Sequence, residues 1–169
     1  MCCIYTTDAL YIQGTETSYA RFPKWNACTN ASISFEFKTT QGDGLLMYAD
    51  DGGKYDFFEV MLTSGRIRLV LNVVDGRDGY VQSDVGAALN DGQWHRVEIR
   101  RNRMETTLIV DGHADSQFAF GSDFHFGDIH LNGNSDVFFG GLPSHYNQDL
   151  HALALPSVLF QPRFKGSIR

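Results

Sequence analysis

The sequence predicts an all-β sandwich or barrel folded as one domain. Three observations predict it: side chains that alternate with period two, turn signals between short runs, and a composition rich in aromatic residues. Alternation is plainest where Ile33, Phe35 and Phe37 share one face and Ser34, Glu36 and Lys38 take the other, the mark of a half-buried strand. Turn chemistry recurs at Gly42-Asp43-Gly44, Asp51-Gly52-Gly53, Ser64-Gly65, Asp75-Gly76, Asn90-Asp91-Gly92, Asp111-Gly112 and Gly140-Gly141. Thirteen Phe and seven Tyr in 169 residues suit pleated, half-buried surfaces better than helical bundles. The apolar stripe of a helix is absent, and Asp149 to Leu155 offers at best one or two helical turns. A single sandwich absorbs this length, so residues 9–169 are read as one domain and residues 1–8 as its flanking edge.

Charge and composition narrow the function. A formal net charge of -6 lacks the clustered basic footprint that nucleic acid requires and suits an anionic rim that attracts cations. No run approaches the ~20 apolar residues needed to cross a bilayer. Met1 to Tyr5 carries neither the basic nor the long apolar region of a signal peptide. Cys2, Cys3 and Cys28 allow at most one internal bridge, and their spacing supplies no zinc site.

One hairpin can be derived closely. With Ser64-Gly65 as a two-residue loop, Thr63 faces Arg66, Leu62 faces Ile67, Val60 faces Leu69 and Phe58 faces Leu71. These pairs make one apolar face, while Glu59, Met61, Arg68 and Val70 fall on the other, and a slip of one residue would scramble both. One further pair on the inward face sets Asp56 across from Val73. A carboxylate at inward parity must offset its desolvation with donors, a cation or a metal. Calcium accepts carboxylate and carbonyl oxygens together, and turn amides at the strand start are the structural alternative.

The histidines are read as structural. His95 follows Trp94 in an alternating strand, and His113, His125, His130, His145 and His151 lack the spacing of a metal site. Asn30-Ala31-Ser32 is an N-glycosylation sequon, which marks Asn30 as a candidate for modification. Asp75 and Asp78 read first as turn formers.

Several stretches together resemble the laminin G-like, or LNS, domains of neurexins, from about Ala9 to Arg169. The most specific is RFPKWNAC, Arg21 to Cys28, which is similar to the first LNS domain of an α-neurexin. Supporting stretches are Ile33 to Tyr48, Tyr55 to Val73, Leu89 to Asn102 with its NDGxWHxV pattern, Thr106 to Gly112, Val137 to Pro143 and Phe164 to Arg169. The resemblance implies a jelly-roll sandwich of two curved antiparallel sheets, laminin G-like or concanavalin-like, with a calcium site on one rim. Carried over residue by residue, it assigns Ca2+ to the Asp56 side chain, the Val73 and His130 carbonyls and the Asn132 side chain, with Asn134 or Asp136 as substitutes for the last. It also marks the loop holding Asp75, Arg77 and Asp78 as a partner-tuning surface, and the loop from Pro143 to Asp149, with Tyr146 at its centre, is read as sharing that rim.

The function so implied is extracellular, calcium-assisted recognition by one module of a larger single-pass adhesion receptor, presynaptic by resemblance, with protein ligands. The alternative is a module for glycans or small ligands. An enzyme is not expected. A sandwich glycosidase needs two paired inward carboxylates and a serine hydrolase a Gly-x-Ser-x-Gly turn, and neither pattern occurs.

Overall fold

The computed structural model describes residues 8–25, 27, 30–72, 80–102, 105–118 and 135–169. Among them run β1 (Leu10–Gln13), β2 (Ala20–Phe22), β3 (Asn30–Lys38), β4 (Gly44–Asp50), β5 (Phe57–Thr63) and β6 (Arg66–Asn72). These are followed by β7 (Val81–Val85), β8 (His95–Asn102), β9 (Glu105–Val110), β10 (His113–Phe118), β11 (Val137–Phe139) and β12 (Lys165–Ile168). They form two six-stranded sheets, β1-β12-β3-β8-β9-β10 and β2-β11-β4-β5-β6-β7, with antiparallel neighbours throughout. This is the sandwich that the alternation predicts.

The main core lies between the sheets. Phe35, Phe37, Val97, Ile99 and Leu108 from one sheet meet Phe58, Val60, Leu62, Ile67, Leu69 and Leu71 from the other. The derived hairpin register holds at every pair from Phe57↔Asn72 to Thr63↔Arg66. Its turn has Ser64 at φ 50° and Gly65 at φ 73°, both left-handed, as a tight two-residue hairpin loop demands. RFPKWNAC serves this core in part: the Trp25 ring lies 5.2 Å from that of Phe58, and buried Ala27 gives its carbonyl to the Arg101 guanidinium at 3.0 Å.

The other side of the second sheet is buried as well. Residues 142–160 cross it as a strap of three short 3-10 turns, Ser144–Gln148, Leu150–Ala152 and Pro156–Phe160. Leu142, Leu153 and Val158 of the strap cover Leu45, Tyr48, Phe57, Met61 and Phe138 in a second apolar cluster. Period-two reasoning sets Glu59 and Met61 on the face away from the core, and they are there, but roofed by the strap. The expected turn or two within 149–155 is one 3-10 turn in this longer series.

His95 is a structural residue. Its ring joins Asp111 at 2.7 Å and Asp91 at 3.0 Å, tying the turn before β8 to the β9–β10 turn. Burial alone would lower its pKa, but the two carboxylates together raise it above the ordinary 6.5. None of the helices among the described residues is long and apolar enough to cross a membrane.

Candidate recognition rim

The rim forms where β4 ends and β5 begins. Asp51 organises the connection: its carboxylate accepts the Lys54 amide at 2.9 Å and the Tyr55 amide at 3.1 and 3.2 Å, while its own amide donates to the Asp56 carbonyl at 3.0 Å. Gly53, at φ +90°, lets this loop touch the strap, since a Cβ there would lie 2.4 Å from the His151 carbonyl oxygen. The loop delivers Asp56 to the position before β5, and only 9% of that residue is exposed. Phe57↔Asn72 is the last pair described in the β5–β6 ladder, one residue after Asp56.

Asp56 is thus a nearly buried carboxylate at the end of a strand, a hard oxygen donor of the kind calcium selects. It is the one member of the predicted ligand set within the described residues. Val73, His130, Asn132 and the substitute Asn134 lie outside them, as do Asp75, Arg77 and Asp78. No group of three or more His, Cys, Asp or Glu capable of holding a metal occurs among the described residues. Asp136, the other substitute, is ion-paired with Arg21. Asn30 is exposed at the start of β3, opposite Asn102.

Sequence reasoning missed the polar groups on the roofed face. Cross-strand register aligns Arg21, Phe138, Tyr48, Glu59, Val70 and Gln82 in one row across all six strands. Tyr48 donates its hydroxyl hydrogen to Asp50 at 3.0 Å and accepts the Leu155 amide at 3.1 Å, while Asp50 accepts the Ala154 amide at 3.0 Å. These bonds fasten the strap to the sheet. Burial raises the Asp50 pKa against the hydrogen bonds that stabilise its charged form, and burial with the Asp50 charge raises Tyr48 well above its ordinary 10.0. Glu59 is only 3% exposed, and its Oε1 has no hydrogen-bond partner among the described residues. Desolvation lifts its pKa from 4.5 to about 7, opposed by a hydrogen bond with Gln161. The sequence does carry a signal for this face: FFEVMLT is apolar at both parities, which a strand buried on both sides requires.

At the β2 edge of the same face lies a hollow of about 330 Å³, lined by Arg21, Lys24, Asp136, Phe138, His145 and Tyr146 among others. The Tyr146 ring sits 6.0 Å from Phe138 at 84° and 4.4 Å from His145 at 33°. Tyr146 therefore faces this hollow on the outer side of the sheet, whereas Asp56 has the inward parity of Phe58, two strands from β11.

The family model for the laminin G domain matches residues 37–169. The chain belongs to the laminin G domain family. Among relatives of this laminin G domain, Neurexin 1 of Drosophila melanogaster is 45% identical over 158 residues, which cover 94% of this chain and 8% of the relative. Human Neurexin-2 is 33% identical over 160 residues, 94% of this chain and 9% of that protein. The domain spans less than a tenth of these curated relatives. In fold it matches domains LG4-5 of the mouse laminin alpha1 chain with a TM-score of 0.74, 21% identity, and coverage of 97% of this chain and 40% of that one. The LG1-3 region of the laminin alpha2 chain gives 0.72 at 19% identity, covering 95% of this domain and 30% of that chain.

Proposed function

We propose that this laminin G domain is a non-catalytic, calcium-assisted recognition module of a larger adhesion receptor. It works at an extracellular, presynaptic surface and binds protein ligands through the rim around Asp56. The observation that carries the reading is the nearly buried Asp56 carboxylate, set immediately before β5 at the end of the β5–β6 ladder described as far as Phe57↔Asn72. Neurexin relatives matched over nearly the whole chain supply the receptor context. Asp56 would contribute the carboxylate, Val73 and His130 backbone carbonyls, and Asn132 its side-chain oxygen. A single protein carboxylate only partly neutralises a divalent ion, so the bound cation would remain able to take an oxygen from an acidic or hydroxyl-bearing partner. Asp75, Arg77 and Asp78 would tune partner choice beside it, and exposed Asn30 would carry a glycan on the other sheet.

Few charged ligands imply a weak site, ~10⁻⁴ to 10⁻³ M, matched to steady extracellular calcium. Isothermal titration of the domain with CaCl2 tests this. Saturable heat in that range, lost in Asp56→Ala, is expected. Absence of calcium-dependent heat, or heat unchanged in the variant, overturns the reading.

A further inference from the structure

The strap covers Glu59 with a segment that is held down at both ends and only lightly between them. On one side the Ala154 amide donates to Asp50 at 3.0 Å and the Leu155 amide to the Tyr48 hydroxyl at 3.1 Å. On the other the Pro162 carbonyl accepts the Leu45 amide at 2.8 Å, and Arg163 bridges to Leu45 in parallel. Residues 156–161 lie between these fastenings. Val158 alone of the six is fully buried, whereas Leu159 and Gln161 are half-buried and Phe160 is 84% exposed. The Val158 amide donates to the Leu155 carbonyl at 3.1 Å and the Gln161 amide to the Val158 carbonyl at 3.2 Å, bonds within the turn rather than to the sheet.

Beneath this segment Glu59 is only 3% exposed, and the groups around its carboxyl are apolar, neutral or already committed. The covering sequence Pro-Ser-Val-Leu-Phe-Gln carries no cation. Val70 stands opposite on β6, and Arg68, the next outward residue of that strand, is engaged by Asp84 at 2.8 Å. Tyr48 stands opposite on β4, but its hydroxyl hydrogen goes to Asp50 at 3.0 Å, and burial keeps that proton in place by raising the Tyr48 pKa well above 10.0. Arg163, at the end of the strap, donates to the Leu142 carbonyl at 2.9 Å. Gln161 bonds the carboxyl, and Oε1 has no partner among the described residues. A protonated carboxyl tolerates such a site, whereas an ionised one needs water or a cation. The least disruptive route to water is to lift the segment, since that withdraws one buried side chain and leaves both strand ladders intact.

We infer that residues 156–161 form a pH-responsive flap, closed over Glu59 while its carboxyl is protonated and lifted from the sheet when it ionises. Leu155 and Pro162 act as hinges, and the fastenings to Tyr48, Asp50 and Leu45 stay in place. Desolvation sets the closed-state pKa of Glu59 at about 7 against an ordinary 4.5. Opening is therefore least below about pH 4.5, grows as pH rises and levels off above about 7. Lifting withdraws Val158 from the cluster it shares with Leu45, Phe57 and Met61, and so bares apolar surface that acidic conditions keep covered. The flap lies on the outer face of the sheet, apart from the inward parity of Asp56, and its motion requires no calcium.

Native-state hydrogen exchange of the isotope-labelled domain, in EDTA from pH 4.5 to 8, tests the flap. A lone 3-10 turn detached from the sheet does not protect its amides, so Val158 and Gln161 report opening. After division by the intrinsic rate at each pH, their opening should rise about 300-fold across the range, the ratio set by pKa values of about 7 and 4.5. Sub-denaturing urea should leave these two amides unaffected while it speeds exchange within β5, because a local opening exposes little surface. Glu59→Gln cannot ionise; it should coincide with the wild type near pH 4.5 and abolish the rise. Flap amides as protected and as urea-sensitive as those of β5 would mean that Glu59 meets water only on global unfolding. That result, a rise that persists in Glu59→Gln, or no rise in the wild type each overturns the inference.

Discussion

Replacing Glu59 by Gln should change how the stability of the domain depends on pH. Glu59 sits under the strap with one oxygen unmatched among the described residues, and its pKa is about 7 in the folded protein against an ordinary 4.5. The folded state therefore holds a proton that the unfolded chain gives up between those values. The associated stability is fully present below about pH 4.5 and is lost as pH rises through about 7. At about 1.4 kcal/mol per pH unit, the loss reaches about 3 kcal/mol at pH 8. The titratable neighbour across the β4–β5 ladder is Tyr48, and Gln161 approaches from the strap. Arg68, one pair along β6 on the same face, is engaged by Asp84 at 2.8 Å. Gln retains the size and hydrogen-bonding capacity of the protonated acid but cannot ionise. The variant should thus match the wild type near pH 4.5 and exceed it by about 3 kcal/mol at pH 8, or roughly 6–12 °C in Tm for a domain of this size. Urea denaturation in half-unit steps from pH 4.5 to 8 measures the difference. A difference between the two proteins that stays flat to within about 0.5 kcal/mol would refute the reasoning, because a desolvated carboxylate must reveal its titration.

Other substitutions probe the remaining parts. Gly53→Ala should cost at least about 1–3 kcal/mol in urea unfolding, because its φ of +90° and the His151 carbonyl 2.4 Å from the new Cβ both oppose it. Tyr48→Phe removes the bonds to Asp50 and Leu155 and should cost about 1–3 kcal/mol; hydrogen exchange should accelerate at the Leu155 amide first. The folded pKa of His95 is raised, so its stabilising contribution is present below its ordinary 6.5 and lost as pH climbs through the folded value. His95→Gln should therefore be most destabilising below pH 6.5 and progressively less so at alkaline pH, as thermal melts would record.

Strand alternation and the β5–β6 hairpin were legible because one face of each is apolar and the turn fixes the register. With Ser64-Gly65 as the loop, a one-residue error would have pointed Phe58, Val60 and Leu62 away from the core, so the pattern admits one pairing. The strap was not legible, since 3-10 turns of three to five residues are too short to show a helical period. Its presence was nonetheless implied by β5, where Phe57, Glu59 and Met61 would make an unreasonable exposed face. Of the rim, Asp56 and its nearness to the end of β6 follow from register alone. His130 and Asn132 rest on family resemblance, because no local sequence pattern relates positions so far apart to Asp56. The hollow was invisible for a similar reason: Arg21 and Asp136, 115 residues apart, meet only when β2 and β11 pair.

Leu10 lies beside Ile168 in the β1–β12 pair, at the outer edge of the first sheet. In a longer polypeptide this arrangement makes the domain a pendant rather than a link in series. Chain would arrive and depart at nearly one point, and tension along the polypeptide would pass across that strand pair without stretching the second sheet. Engagement of a ligand at the proposed rim would then change what hangs from the polypeptide while leaving its contour length the same.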